Sequence, residues 1–252
     1  MKKIIGFLAL GAVLASCGKE NTFTTDFGSV NIINAAPVVS TAFAPLLPTF
    51  TLFVDTSIRA NTALTYRGAT GYQAVTPGVR NLSLRLAGNT NRVLWTANNQ
   101  QINNGQGYTY LIYDTLPIPV TATSTYRGVQ LVDDLNLPAT GQAKVRFAHL
   151  AINAPAVDVT FTRVVGGVDT DSVTVRNRAY LGAAPTLATI GQTATFTSLP
   201  SGVYRVTARL AGTSTAVIAT SLTLGNQSIW TFFAAGTAQT RPLSLESFRH
   251  YP

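Results

Sequence analysis

Apolar and polar residues alternate along several short stretches of the chain. Leucine fills every second position of 82–86, and apolar residues alternate with polar ones in the same way over 157–162 and 204–210. Successive side chains of a β-strand point to opposite faces, so a period of two predicts half-buried strands. The stretches 108–113 and 229–233 are apolar at nearly every position and predict central strands that are buried on both faces.

Glycine, proline and asparagine cluster between these stretches, at 76–78, 103–105, 199–202 and 224–226. Beyond the N-terminal segment, no part of the chain keeps the 3.6-residue period of an amphipathic helix. Many short strands, separated by turn signals about every 8–12 residues, are typical of β-sandwiches and β-barrels. We therefore expect an all-β fold built from immunoglobulin-like β-sandwiches.

The chain also repeats itself over a long interval. The sequence Arg-Leu-Ala-Gly occurs at 85–88 and again at 209–212, and Tyr66-Arg67-Gly68 corresponds to Tyr180-Leu181-Gly182. The interval between the paired motifs is about one domain length. This repetition predicts two copies of one β-sandwich module in tandem.

The repeats set the expected domain boundaries. The first β-sandwich repeat is predicted at 27–136 and the second at 142–252, with the joint between them near 137–141. Residues 17–26 would then form a short tether in front of the first repeat, and residues 1–16 a signal peptide.

The N-terminal segment has the pattern of a secretory signal. Lys2 and Lys3 precede an apolar run over 4–14, which is too short for a bilayer core that takes roughly 20 residues to cross. A basic start, a short apolar run and small residues at the end are typical of a cleaved signal peptide. The ending Leu14-Ala15-Ser16-Cys17 resembles the lipobox of bacterial lipoproteins, in which the cysteine is acylated and becomes the first residue after cleavage.

The lipobox resemblance implies a membrane lipid partner through acylated Cys17, because several acyl chains anchor a protein stably. Gly18 differs from the Asp that tends to retain lipoproteins at the inner membrane, and Lys19-Glu20 resembles a charged signal for the outer face of the outer membrane. We expect a surface-exposed outer-membrane lipoprotein. Two alternatives stay open: an ordinary secretory signal with a chance cysteine, and Lys19-Glu20 as solvated linker.

Composition narrows the chemistry further. Hydrophobic residues make up 46% of the 252 residues and charged residues 11%, which argues against disorder. The net charge is +8, but most of the basic residues stand singly, so no nucleic-acid partner is predicted. Cys17 is the only cysteine, which excludes an intramolecular disulfide and a cysteine-based zinc site.

The second half of the chain resembles a known bacterial family. Its opening strand over 143–150 ends at His149, and a turn with Pro155 leads into Val157-Asp158-Val159. With the later Tyr180-Leu181-Gly182 and Pro200-Ser201-Gly202-Val203-Tyr204, this pattern is similar to that of domain of unknown function 4397. The first half departs from it, since Asn34 replaces the histidine and a proline-rich insertion covers 38–48. The resemblance implies a tandem β-sandwich on a cell-envelope lipoprotein, and it implies no activity.

The residues do not assemble into a recognised catalytic or metal-binding pattern, so we predict no catalytic residue, no metal ligand and no cofactor. Asp133 and Asp134 are adjacent and would point to opposite faces of a strand, which does not make a facing acid pair. Asp169 and Asp171 follow a glycine pair that predicts a hairpin turn. We expect His149 to lie at the edge of the core, bonded to backbone.

Asp158 and six further residues complete the candidates. Asp158 is predicted to bond backbone N–H groups at a turn. Aromatic rings stack on sugars and anchor interfaces. The candidate ligand contacts of this kind are Trp95, Tyr66, Tyr72 and Tyr126. Burial in the core is the alternative for each of them. Asp114-Thr115-Leu116 and Asp171-Ser172-Val173 resemble a short bacterial O-glycosylation signal, which makes Thr115 and Ser172 candidate modification sites.

These observations favour a non-enzymatic, lipid-anchored surface protein that binds a glycan or a protein or has a structural role. An envelope enzyme acting on polysaccharide and a passive subunit of an outer-membrane assembly are the alternatives. If Trp95 contacts ligand, Trp95→Ala is expected to fold normally and lose binding, whereas unfolding of that variant would place Trp95 in the core.

Overall fold

The computed structural model describes residues 26–37, 49–114, 126–182, 184–237 and 241–251. Sixteen strands and one short helix are formed in this part of the chain. The first eight strands are β1 (Gly28–Asn34), β2 (Phe50–Val54), β3 (Ser57–Leu64), β4 (Gln73–Val75), β5 (Gly78–Leu86), β6 (Asn89–Ile102), β7 (Gly107–Asp114) and β8 (Tyr126–Asp133). The remaining elements are β9 (Gln142–His149), β10 (Val157–Val165), β11 (Val168–Arg178), α1 (Leu187–Ala194), β12 (Thr197–Pro200), β13 (Gly202–Leu210), β14 (Ala216–Leu224), β15 (Ile229–Thr237) and β16 (Arg241–Tyr251).

The strands form four sheets of four strands each. Sheet I has the order β4-β1-β7-β8, and sheet II has the order β3-β2-β5-β6. Sheet III has the order β12-β9-β15-β16, and sheet IV has the order β11-β10-β13-β14. Adding eight to each strand number of sheets I and II gives the strand orders of sheets III and IV, so the two pairs of sheets have the same topology. The prediction of an all-β fold made of sandwiches is confirmed, whereas the immunoglobulin-like type and the exact domain boundaries stay predictions.

Two apolar cores lie inside the sandwiches. The first core joins sheets I and II, with Ile32 and Tyr110 packed among Leu52 and Leu84. The second core joins sheets III and IV, with Phe147 and Phe232 among the side chains of β10 and β13. Removing each such side chain from water stabilises the fold by about 1.5–3 kcal/mol. The period of two in the sequence marks the strand faces that point into these cores.

A third apolar cluster lies between sheets I and III and stacks the two sandwiches on each other. The buried members of this cluster are Ile33, Ala35, Leu111, Tyr113, Val129, Leu131, Ala148, Leu150, Leu181, Phe233 and Ala235. Alternate residues of β1, β7 and β15 therefore enter different cores, which explains the apolar runs predicted for β7 and β15. The sheets follow one another in the order II, I, III, IV.

Helix α1 is an element that the sequence pattern did not predict. It has only eight residues, too few to display a helical period or to be stable in isolation. Thr186 caps its N-terminus, where the side-chain oxygen accepts a hydrogen bond from the backbone N–H of Thr189 at 3.2 Å. Ile190 and Ala194 pack on the third cluster, so tertiary packing holds the helix. No helix in the described residues has the length and apolarity needed to cross a membrane.

Candidate functional site

Two of the predicted ligand-contact rings lie in the first core. Trp95 is 7% exposed, and its ring packs edge-on against Tyr110 with 5.7 Å between centroids. A Cβ atom placed on Gly128 would lie 2.5 Å from Nε1 of Trp95, so β6 and β8 approach closely at this point. Tyr126 is also 7% exposed and packs edge-on against Phe50 at 5.6 Å. The structure therefore corrects the ligand-contact hypothesis for Trp95 and Tyr126, because rings inside a sandwich do not reach a ligand in solvent.

Tyr66 and Tyr72 are half-buried between sheets I and III. Tyr66 packs on the third cluster, and the guanidinium of Arg67 lies 4.9 Å from its ring centroid. Tyr72 directs its hydroxyl inward, where it donates to Oδ2 of Asp133 at 2.6 Å and lies 2.7 Å from Nδ1 of His250. Neither side chain presents an open aromatic face, and Tyr72 instead leads to a polar network.

Asp133 is the centre of this buried polar network. Its carboxylate accepts hydrogen bonds from the Tyr72 hydroxyl, from Oγ1 of Thr109 at 2.7 Å and from Nη2 of Arg146 at 2.7 Å. The side chains of Asp133 and Arg146 are both 0% exposed, so their ion pair is fully removed from solvent. The pair joins the last strand of the first sandwich to β9 of the second.

The network closes into a ring through the second sandwich. Arg146 Nε donates to Oγ1 of Thr231 at 2.8 Å, and that hydroxyl lies 2.6 Å from Nε2 of His250. An ionised Asp133 requires Tyr72 to donate to it, so Tyr72 must accept from His250, whose proton then sits on Nδ1. Nε2 of His250 accepts from Thr231. Hydrogen bonds thus link each residue of this polar ring to the next, and its five residues are Asp133, Arg146, Thr231, His250 and Tyr72. The bonds in such a chain strengthen one another.

Burial sets the electrostatics of the polar ring. The pKa of His250 is lowered to about 3, first by burial and then by the positive charges of Arg146 and Lys144. Burial, followed by the negative charge of Asp133, raises the pKa of Tyr72 above its usual range. The aromatic ring of Phe196 covers the polar ring from one side, and its centroid lies 4.7 Å from the guanidinium carbon of Arg146. The imidazole of His250 and the hydroxyl of Tyr72 are therefore both held in their neutral forms.

The remaining acidic candidates have structural partners of their own. Asp134 is exposed and accepts from Nζ of Lys144 at 2.7 Å, and that bond lowers the pKa of Asp134. Asp133 is buried whereas Asp134 is not, so the two carboxylates do not form a facing pair, as predicted. Asp169 pairs with Arg205 at 2.7 Å on the surface, just after the turn at 166–167.

The sequence assigned His149 and Asp158 correctly. His149 is buried, and its Nε2 lies 3.0 Å from the carbonyl oxygen of Pro155. Burial lowers the pKa of His149. Asp158 accepts from the backbone N–H groups of Asn177 at 2.7 Å and Gly212 at 3.0 Å, and these bonds lower its pKa. Both predictions of a structural role are confirmed.

The candidate modification sites differ in what the structure describes. Ser172 lies on β11, an edge strand of sheet IV, and is exposed. Thr115 and Cys17 lie outside the described residues. Within the described part of the chain, no group of three or more His, Cys, Asp or Glu side chains is placed to hold a metal ion.

The outer face of sheet IV is the second candidate site. Its strands direct Val159, Phe161 and Val206 inward, so the alternate side chains face away from the core. Thr174, Thr160 and Thr207 lie side by side on neighbouring strands, and the hydroxyls of Thr160 and Thr174 are 3.0 Å apart. The next row, formed by register partners, is Ser172, Thr162, Arg205 and Ser221. The face carries rows of threonine and serine residues with arginines among them, and of these Thr207 is only 6% exposed.

The polar ring is the feature that sequence reasoning missed. Arg146 stands between Val145 and Phe147 in a strand that is otherwise apolar, and a charged residue at such a position indicates a buried ion pair. The complete polar ring could not be predicted from the sequence, because its contact between Tyr72 and His250 joins residues that are 178 positions apart.

Fold and site together define an all-β protein of stacked sandwiches whose buried charges hold the sandwiches to each other. The chain belongs to the family described as domain of unknown function (DUF4397), whose profile matches residues 28–160, slightly more than half of the 252 residues. The match extends from β1 into β10, so it includes the complete first set of strands and the Val157-Asp158-Val159 segment. No curated protein is similar to the chain in sequence.

Two solved structures are weakly similar to this chain. A leucine-rich repeat protein from Bacteroides thetaiotaomicron VPI-5482 is 11% identical with a TM-score of 0.21, over 86% of this chain and 26% of that one. The Bacillus anthracis TIE protein is 10% identical with a TM-score of 0.24, over 83% of this chain and 34% of that one. The chain thus spans about a quarter to a third of these structures, and at these scores the likeness carries no functional argument.

Proposed function

We propose that this chain is a lipid-anchored, non-catalytic protein of the bacterial cell envelope, displayed at the cell surface, that binds a glycan or a protein. The observation that carries the proposal is the position of Cys17. It is the only cysteine of the chain, and it directly follows the small residues that end a short apolar signal. The tandem sandwiches would then form the body that the anchor presents.

The non-catalytic part of the proposal is supported by the buried titratable groups. Asp133 accepts three hydrogen bonds, His250 has a partner on each ring nitrogen, and Asp158 bonds two backbone N–H groups. A general acid or base must reach the proton that it transfers. These groups are instead used to join elements of the fold.

The outer face of sheet IV is the surface that we assign to binding. Rows of hydroxyls donate and accept hydrogen bonds as sugar hydroxyls do, and Arg209 adds positive charge, whereas the charge of Arg205 is paired with Asp169. Neighbouring strands lie about 4.8 Å apart, close to the spacing of sugar rings along a polysaccharide. This face favours a glycan, and an acidic glycan over a neutral one.

Labelling with a palmitate analogue and protease shaving of intact cells test anchoring and display. The native protein is expected to take up the label and to be cleaved while a periplasmic marker stays intact. The matched Cys17→Ala variant should take up no label. Equal labelling of the two proteins, or protection of the native protein until the outer membrane is opened, would refute the corresponding part of the proposal.

Binding is tested on intact cells or purified protein with alginate and dextran as acidic and neutral probes. Arg209→Glu should lower retention on alginate by about tenfold, since a charge-assisted contact is replaced by a repulsive one. Arg59→Glu is the matched control, because Arg59 is an exposed arginine on β3 of sheet II. Equal retention of both variants and the native protein on alginate and dextran would refute the assignment of acidic-glycan binding to the outer face of sheet IV.

A further inference from the structure

Sheets I and III correspond to each other strand by strand. Each has a central parallel pair, β1 with β7 and β9 with β15. In the first pair Asn31 is the register partner of Thr109, and in the second Arg146 is the register partner of Thr231. The backbone N–H of Arg67 donates to the Asn34 carbonyl at 2.7 Å, and that of Leu181 donates to the His149 carbonyl at 3.1 Å. Equivalent positions can therefore be assigned from hydrogen bonds alone.

Equivalent positions meet across the contact between these sheets. Arg67 of the first sandwich pairs with Glu246 of the second at 3.4 Å. Leu111 of β7 and Phe233 of β15 are equivalent positions of the two parallel pairs. Val129 lies opposite Leu111 and Glu246 lies opposite Phe233, so Val129 is the equivalent of Glu246. The equivalent of the Arg67–Glu246 pair is then Leu181 with Val129, and both of these lie in the third cluster.

The polar ring shows the same correspondence. Asp133 lies two residues after the register partner of Thr109, and His250 lies two residues after the register partner of Thr231. Thr109 bonds Asp133 at 2.7 Å, and Thr231 bonds His250 at 2.6 Å. Tyr72 directly precedes β4, and Phe196 directly precedes β12 at the equivalent position. Tyr72 contacts Asp133 in the first sandwich, and Phe196 contacts His250 in the second.

We propose that the contacting faces of sheets I and III are one self-association surface that occurs twice in this chain. The two copies pair as isologous partners, in which residue i of one meets residue j of the other and the reverse. The partner that this surface fits is a second copy of the same module. The inference is independent of where the chain is anchored or displayed.

Charge makes this pairing heterotypic. Asp133 of the first copy pairs with Arg146 of the second. The residue that corresponds to Asp133 in the second copy is His250, and the residue that corresponds to Arg146 in the first copy is Asn31. If two copies of the first sandwich paired, Asp133 would be buried opposite Asn31. If two copies of the second sandwich paired, Arg146 would be buried opposite a neutral His250. Each combination leaves a charge without a counter-ion, which is the kind of penalty that excludes wrong partners.

The test cuts the full chain after it has folded. A specific protease site is inserted between Asn136 and Leu137, both of which are exposed. After cleavage, size-exclusion chromatography and native mass spectrometry should find the two halves together, one of each, at the mass of the uncut chain. Refolding a mixture of the purified halves should give the same complex. Separate elution of the halves after cleavage, or pairs of identical halves, would overturn the proposal.

Two neighbouring carboxylates supply matched variants of the cut protein. Asp133→Asn removes the buried charge, and the dissociation constant of the halves should rise at least about tenfold while circular dichroism shows both still folded. Asp134→Asn removes an exposed partner of Lys144 and should change the dissociation constant by less than about threefold. Equal effects of the two substitutions would contradict the role given to Asp133. If Asp133→Asn unfolds a half, Arg146→Lys provides the same comparison with the charge retained and the two-donor geometry lost.

Discussion

Asp133 and His250 each lie two residues beyond the register partner of a threonine, Thr109 and Thr231, and each accepts a hydrogen bond from that threonine. One is the acid of a fully buried ion pair, and the other is an imidazole whose pKa is lowered to about 3. Tyr72 touches both. The same place in a repeated sheet thus has two different electrostatic roles, and the polar ring needs both.

The ion pair at the centre of the polar ring makes a specific prediction about stability. Asp133→Asn should lower the free energy of unfolding by about 3–5 kcal/mol, because Arg146 is left buried without a counter-ion. Adding Arg146→Gln should recover part of that loss, since no uncompensated charge remains. Urea unfolding of Asp133→Asn, Arg146→Gln and the double variant measures this coupling. Simple addition of the two single effects would show that the side chains act independently.

The buried histidines predict acid sensitivity. The folded-state pKa of His250 is about 3, below the ordinary value of 6.5, so between these pH values the unfolded chain binds the extra proton. Stability should therefore be full above about pH 6.5 and fall toward pH 3, with a slope near 1.4 kcal/mol per pH unit from this group.

His149 shifts in the same direction, so the two histidines must be separated by substitution. Urea unfolding at several pH values should give a shallower acid limb for His250→Gln than for the native protein, whatever the absolute stability of the variant. An unchanged slope in His250→Gln, with a reduced slope in His149→Gln, would assign the acid sensitivity to His149 instead.

Trp95 is predicted to be a core residue in solution. Trp95→Ala should destabilise the protein by about 3–5 kcal/mol, because a buried aromatic side chain is replaced by a cavity. Thermal unfolding followed by circular dichroism measures the loss. A variant that unfolds at the native temperature and loses only glycan binding would place the ring on the surface.

Two glycines should respond to alanine with opposite signs. At Gly128 the added Cβ would meet the Trp95 ring at 2.5 Å, so Gly128→Ala should cost about 1–3 kcal/mol. Gly191 lies inside α1 with no atom within 4 Å of an added Cβ. Gly191→Ala should stabilise the protein by about 0.5–1 kcal/mol through helix propensity. Equal effects at the two sites would mean that the close approach of β6 and β8 is absent in solution.

The strands could be predicted from the sequence because their signal is local. Leu82 and Leu84 share one face through a period of two, and the apolar residues of β7 and β15 are consecutive. The structural role of His149 could be predicted for the same reason, since its partner Pro155 is six residues away, whereas the partners of Asp158 are 19 and 54 residues away and only its position beside a turn was a local signal. Helix α1 could not be predicted, because eight residues carry little periodic signal and its stability comes from packing on β8 and β9.

The polar ring could not be predicted because its geometry depends on two sheets meeting face to face. Arg146 and Asp133 are only 13 residues apart, yet their contact requires the chain to turn from β8 into β9 and stack the sheets. An arginine on a strand is usually exposed, and although the apolar neighbours of Arg146 indicate a buried ion pair, they do not identify its partner. Tyr66 and Tyr72, two of the predicted ligand-contact rings, lie in the segment between β3 and β4 and fill the contact between sheets I and III.

The stacking of sheets I and III leaves the outer faces of sheets II and IV on opposite sides of the body. Sheets in contact are spaced about 10 Å apart, so these two faces are separated by roughly 30 Å of close-packed protein. Anything bound to sheet IV is held at a constant distance, and in a constant orientation, from anything that touches sheet II. A chain with this architecture can therefore keep two partners apart without relying on a flexible linker between its halves.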